Sequence, residues 1–133
     1  MQRRVVAAAT APEAVGPYSQ GIVAGPFVFA SGQLGILPGT GKLAGKTAAE
    51  QAAQALDNLD QVLRAGGASL AQAVMITVYL TDLAEFDAVN RVYARKIPSP
   101  CPARACVQVA ALPKNARVEI SAIALRPGPE SPP

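Results

Sequence analysis

Apolar positions along this chain switch between two periods, and the switches mark its elements. Across residues 74–81, Val74, Ile76, Val78 and Leu80 share one face, and Met75, Thr77, Tyr79 and Thr81 share the other. That is the two-residue period of a strand. Residues 117–125 alternate in the same way. Val118, Ile120, Ala122 and Ala124 lie on one side, and Glu119, Ser121, Ile123 and Leu125 on the other. Shorter strand-like runs cover 3–7, 20–24, 27–31 and 105–110, and the Gly25-Pro26 turn makes a hairpin of the middle two.

Two stretches carry the helical period instead. Ala52, Leu56, Leu59 and Leu63 recur at spacings of four, three and four, with Gln51, Gln54, Asp57, Asn58, Gln61 and Arg64 assigned to a polar face. Thr47 with Glu50 reads as a capping box, and Gly66-Gly67 as the stop. A second helix is expected from Asp82, with Glu85 in the reciprocal capping position, a stripe of Phe86, Val89, Tyr93 and Ile97, and Pro98 as its end.

The resulting order, β-β-β-α-β-α-β-β, predicts an α+β domain over 1–126: a six-stranded mixed sheet with two helices on one face. Two helices cover only one side of such a sheet. Met75, Tyr79, Val107, Val109 and Ile123 are left for the other side, which therefore needs an apolar partner, most simply another copy of the chain. The proline-bounded stretch 11–17 reads as a loop, and the proline-rich tail 127–133 as disordered.

Composition narrows the chemistry. The 133 residues are half hydrophobic and carry a net charge of +3, with lysines and arginines scattered and not clustered. That balance argues for a folded globule and against a nucleic-acid surface. There is no histidine, which removes histidine-based triads, histidine-ligated metals and the commonest general base. Cys101 and Cys106 are poorly spaced for zinc, and nothing else completes a metal site. No apolar run reaches the ~20 residues of a membrane span. The expectation is a soluble intracellular protein, cytoplasmic or, given Arg3, Arg4 and the alanines that follow, in an organelle matrix.

Two residues stand out against this background. Arg104 opens a strand-like run, and its planar guanidinium suits a carboxylate gripped by two parallel hydrogen bonds. Glu119 sits within an apolar alternation, where a carboxylate is costly to bury without a role or a partner. A strand glutamate paired with Arg117 and an interface salt bridge for Arg104 are the structural alternatives. The glycine-rich GTGKLAGKT nearly matches a phosphate loop, but Thr40 replaces its first glycine, so Gly39, Gly41 and Gly45 are read as turn residues.

The blocks APEAVGPYSQGIVAG, FASGQLGILPGTGKL, QALDNLDQVLRAGG, TVYLTDLAEFDAVNRVYA and PARACVQVAALPKNARVEISAIA, spread over residues 3 to 126, resemble the RidA family of reactive intermediate (enamine/imine) deaminases. IPSPCPAR is similar to plant-type members. The resemblance implies a chorismate-mutase-like fold and a homotrimer whose sheets form a central barrel, with clefts between neighbouring subunits. It implies hydrolysis of 2-aminoacrylate and 2-aminocrotonate, released by pyridoxal-phosphate-dependent dehydratases, to 2-oxo acids and ammonium, without cofactor or metal. By the same resemblance Arg104 is the carboxylate clamp and Glu119 the water-positioning acid. Tyr18 is the ring that closes over the ligand, and Ser31 and Gly32 line the cleft. Cys106 lends backbone groups, and Asn90 is structural or cleft-adjacent. Some relatives carry ribonuclease or translation-inhibitor labels, and a non-catalytic acid-binding or chaperone-like trimer is a third reading. The chain departs from the pattern at Ser121, where many relatives have a second acid, and at Met75, Ile76 and Ile97.

Overall fold

The structure, a computed structural model, describes residues 2–128. Of the tail expected to be disordered, residues 129–133 lie outside the described residues. Six strands form one sheet: β1 (Arg3–Val6), β2 (Gly21–Ala24), β3 (Phe27–Leu34), β4 (Ala73–Leu80), β5 (Ala103–Gln108) and β6 (Val118–Leu125). Their spatial order is β1-β2-β3-β6-β4-β5. Among the described residues only β4 and β5 run parallel, because the helix α2 (Phe86–Lys96) carries the chain back between them. The longer helix α1 (Ala48–Ala65) lies over β3 and β6, on the same face as α2.

The core forms where the two periods meet. Leu56, Leu59 and Leu63 of α1 are fully buried against Val28, Ile76, Leu80, Val118 and Ile120 of the sheet. Each such side chain contributes about 1.5–3 kcal/mol on burial. Thr47 caps α1 as read from sequence: its hydroxyl accepts from the Glu50 amide at 3.1 Å, and the Thr47 amide donates to Glu50 Oε1 at 3.2 Å. That arrangement occupies Thr47 and sets a carboxylate beside it, which disfavours a phosphate there. Gly39 and Gly41 sit at φ +79° and +71°, as turn residues do.

The structure corrects four expectations. Gln51 and Asn58 were assigned to the polar face of α1, yet only 2% and 1% of each is exposed. They strap the chain that follows β3. Gln51 donates to the Gly45 carbonyl and accepts from the Arg117 amide, while Asn58 donates to the carbonyls of Leu34 and Ile36. Asp82 caps a single 3-10 turn (Leu83–Glu85), so α2 starts only at Phe86. Glu85 does not return to that cap. It accepts from the Ala48 amide at the start of α1, at 3.0 Å, and pairs with Arg117 at 2.9 Å. Val74 is exposed and not in the core, because the β4–β6 register shifts between Ala73 and Met75. Finally, β3 runs past Ser31 to Leu34 through a second register shift, between Ala30 and Gln33.

The sheet face away from the helices is apolar and open. Phe29, Ile123, Met75 and Ala103 stand in register across four strands. Phe27, Phe29, Val107 and Leu125 are exposed large hydrophobics. Among the described residues, no helix is long and apolar enough to cross a membrane.

Candidate active site

Strand alternation decides which way each candidate residue points. On β6, Val118, Ile120, Ala122 and Ala124 are buried under the helices, so Glu119 between them projects onto the open face. Its register neighbours are Leu34 on β3 and Tyr79 on β4. The β3 irregularity brings Gly32 against it: a Cβ at Gly32 would overlap the Glu119 carboxylate. Glycine leaves room for the carboxylate to lie against this segment, and a side chain here would displace it.

Glu119 is half-buried and forms no hydrogen bond or ion pair among the described residues. Burial alone pushes its carboxyl above the usual range. Arg117, the structural alternative as its partner, is engaged by Glu85 instead. The carboxylate lines a cleft of about 450 Å³ together with Tyr18, Ser31, Gly32, Leu34 and Ile36.

Local contacts hold the cleft walls. The Ser31 hydroxyl donates to the Ser19 carbonyl at 2.6 Å and the Ser31 amide to the Gln20 carbonyl at 2.9 Å. Ser31 is thus fixed as a strut and not freed as a nucleophile. Buried Gln20 in turn donates to the carbonyls of Ala8 and Pro12, fixing the loop that carries Tyr18. Tyr18 is half exposed at the mouth, and its hydroxyl accepts from the Val15 amide at 3.3 Å.

Arg104 is placed elsewhere. On β5 it pairs with Ile76, and Cys106 pairs with Val78; both partners face the helices. Arg104 accordingly rises beside α2, where Nη1 donates to Asn90 Oδ1 at 2.6 Å. Its guanidinium carbon lies 4.8 Å from the Tyr93 ring centroid and 5.6 Å from that of Phe86. It lines a wider groove of about 940 Å³ with Asn90, Tyr93, Cys101 and Pro102. Cys106, two residues on, is half-buried. Burial pushes its thiol up and the Arg104 charge opposes this only in part, so the thiol stays protonated.

Of the residues singled out in the sequence, the structure brings together Tyr18, Ser31, Gly32 and Glu119, and separately Arg104 and Asn90, with Cys106 on the same strand face. Within one chain it does not bring the two groups together. Sequence reasoning missed Lys114 and Pro113 beside the Glu119 cleft. It also missed Phe86 and Tyr93 behind Arg104, which read only as a core stripe. Lys114 at φ +58° and Asn115 at φ +56° are left-handed, a feature that side-chain patterning does not encode.

Comparison with known proteins places the fold in a family. A family model described as Endoribonuclease L-PSP matches residues 8–126. The chain is 47% identical over 124 residues to Reactive Intermediate Deaminase A, chloroplastic, of Arabidopsis thaliana, covering 93% of this chain and 66% of that protein. It is 45% identical to the human 2-iminobutanoate/2-iminopropanoate deaminase, over 93% of this chain and 90% of the relative. Among solved structures, RidA from an Antarctic Psychrobacter superposes with a TM-score of 0.88 at 43% identity, covering 92% of this chain and 98% of that one. E. coli TdcF with bound serine gives 0.88 at 38%, covering 93% and 99%. With the family model spanning nearly all of the sheet and both helices, the chain belongs to the RidA family, the reactive intermediate deaminases.

Proposed function

We propose that this chain hydrolyses small 2-imino acids to 2-oxo acids and ammonium, in a cleft built from two copies of itself. The observation that carries the reading is Glu119: a half-buried carboxylate, raised in pKa by burial, with no partner in its cleft. A group in that state suits holding a water and moving a proton. The relatives' names supply the substrate class, 2-iminobutanoate and 2-iminopropanoate.

In this mechanism Arg104 of one copy grips the substrate carboxylate with the donors that Asn90 leaves free. Glu119 of a neighbour holds a water against the C=N carbon and accepts a proton as the C–O bond forms. The carbinolamine then collapses. The nitrogen takes up both of the water's protons, the one returned by Glu119 and the one from the carbinolamine hydroxyl, so that the C–N bond breaks, ammonia leaves to become ammonium in solvent, and the oxygen becomes the new carbonyl. Tyr18 and the Ser31–Gly32 segment limit the entry of bulk solvent. Imine hydrolysis also proceeds unaided, so holding substrate and water in register supplies the acceleration needed. Neither a cofactor nor a metal enters any step.

The copies would meet through the open sheet face, where Phe27, Phe29, Val107 and Leu125 lie exposed. A closed ring of three, with the sheets facing inward, buries that surface symmetrically. Work on such short-lived substrates places the protein beside the pyridoxal-phosphate enzymes that release them, in the cytoplasm or an organelle matrix. The ribonuclease named by the family model has less support here, since the chain has no histidine to pair with the cleft's carboxylates, Glu13 and Glu119, and its lysines and arginines are scattered. The test couples a serine or threonine dehydratase to this protein and follows imine loss. Faster loss than in buffer supports the reading, and an unchanged rate overturns it.

A further inference from the structure

We propose that Tyr93, seconded by Phe86, is a positioning residue that presents Arg104 to the substrate carboxylate. The inference rests on the deaminase reading and deepens it.

Arg104 is exposed and carries a long, rotamer-rich side chain. Left free, it would lose conformational freedom each time it bound an anion. The structure supplies a plate for it. Phe86, Asn90 and Tyr93 follow one another at spacings of four and three on α2, so they form one stripe. That stripe faces β5 and meets Arg104 at three points: the Asn90 amide oxygen at 2.6 Å, the Tyr93 ring at 4.8 Å and the Phe86 ring at 5.6 Å. Asn90 fixes the guanidinium at one nitrogen, and the rings fix its plane by cation–π contact.

Tyr93 is the rigid member, because only 7% of it is exposed. Its hydroxyl has no hydrogen-bond partner among the described residues, although it is buried. A buried hydroxyl without a partner adds no stability, so the ring face and not the hydroxyl carries the role. Burial pushes the Tyr93 hydroxyl up while the Arg104 charge opposes this, consistent with a neutral ring beside a cation.

The test compares Tyr93→Leu, Tyr93→Phe and Phe86→Leu in the full-length protein. Steady-state kinetics on dehydratase-generated imine are paired with calorimetric binding of 2-oxobutanoate and of its uncharged amide. Tyr93→Leu is expected to raise KM for the imine and Kd for 2-oxobutanoate about fivefold, the scale of one cation–π contact. Its kcat stays within about twofold, because the lost contact serves ground state and transition state alike. Tyr93→Phe keeps wild-type values, and the amide binds wild type and variants equally. Phe86 is only half-buried, so Phe86→Leu tests the same plate with little risk to the fold and is expected to raise KM about twofold.

Wild-type KM and Kd in both leucine variants would overturn the proposal. So would a loss in Tyr93→Phe equal to that in Tyr93→Leu, or an equal loss for the amide ligand. A wild-type protein that neither deaminates nor binds 2-oxobutanoate would sink the deaminase reading and this inference with it. A wild type that does both, with unaffected leucine variants, sinks this inference alone.

Discussion

Arg104 and Glu119 stand on opposite faces of one sheet. Arg104 is in register with Ile76 on the helix-covered side, whereas Glu119 alternates with buried Val118 and Ile120 and so emerges on the open side. Neither side chain reaches the other within a chain. A carboxylate clamp and a water-holding acid of this kind can serve one substrate only when a second copy brings its opposite face alongside.

Removing the clamp should be costly. In Arg104→Ala the substrate carboxylate enters a site with no counter-charge, at a cost of about 2–5 kcal/mol in kcat/KM. Arg104→Lys keeps the charge but loses the planar fork and its seat on the Tyr93 ring. It should recover only part of the loss. Kinetics on freshly generated imine measure both.

Under the proposed mechanism, Glu119 sets the pH dependence of the reaction. Burial raises its pKa, and the proton-accepting form is the ionised one. Activity should fall as pH drops through a limb lying above the ordinary carboxylate range. Glu119→Gln should abolish that limb and lower kcat at least about 100-fold. Stability runs the other way. Between the unfolded and the raised folded pKa, the folded chain keeps a proton that the unfolded chain releases, so stability declines as pH rises through that window. Glu119→Gln removes this penalty. It should melt above wild type at pH 7, with the gap closing at pH values below the unfolded pKa.

Gly32→Ala probes the close approach at the cleft. Its methyl group would overlap the Glu119 carboxylate and displace it by about an ångström, a shift worth about 100-fold in rate. The far-ultraviolet spectrum should stay that of the wild type while kcat collapses.

Asn58→Ala links stability to the cleft. It frees the carbonyls of Leu34 and Ile36, two residues that line the Glu119 pocket. Unfolding in denaturant should show a loss of about 1–3 kcal/mol, and KM should rise as that wall loosens.

Much of this was legible in the sequence, for a physical reason. Thr47 and Glu50 signal a helix start through contacts three residues apart, and the alternation around Glu119 marks its face without reference to any other strand. Partners set by tertiary register left no such trace. Gln51 and Asn58 look like surface amides until the chain after β3 is seen to cross α1. Glu85 sits where a local cap belongs yet reaches 37 residues back to Ala48. Tyr93 reads as core because the arginine its ring faces is eleven residues away, on the next strand. The opposed faces of Arg104 and Glu119 follow from their registers on β4, with Ile76 and Tyr79 respectively, which periodicity alone does not specify.

The most direct measurement mixes the two inactive variants. Arg104→Ala and Glu119→Gln proteins are unfolded together in equal amounts, refolded, and assayed against each refolded alone. If every cleft takes its arginine from one copy and its glutamate from the next, random assembly leaves about a quarter of the clefts intact, and about a quarter of wild-type activity should return. A mixture in which the chains have demonstrably co-assembled but which stays as inactive as its parents would contradict a shared site.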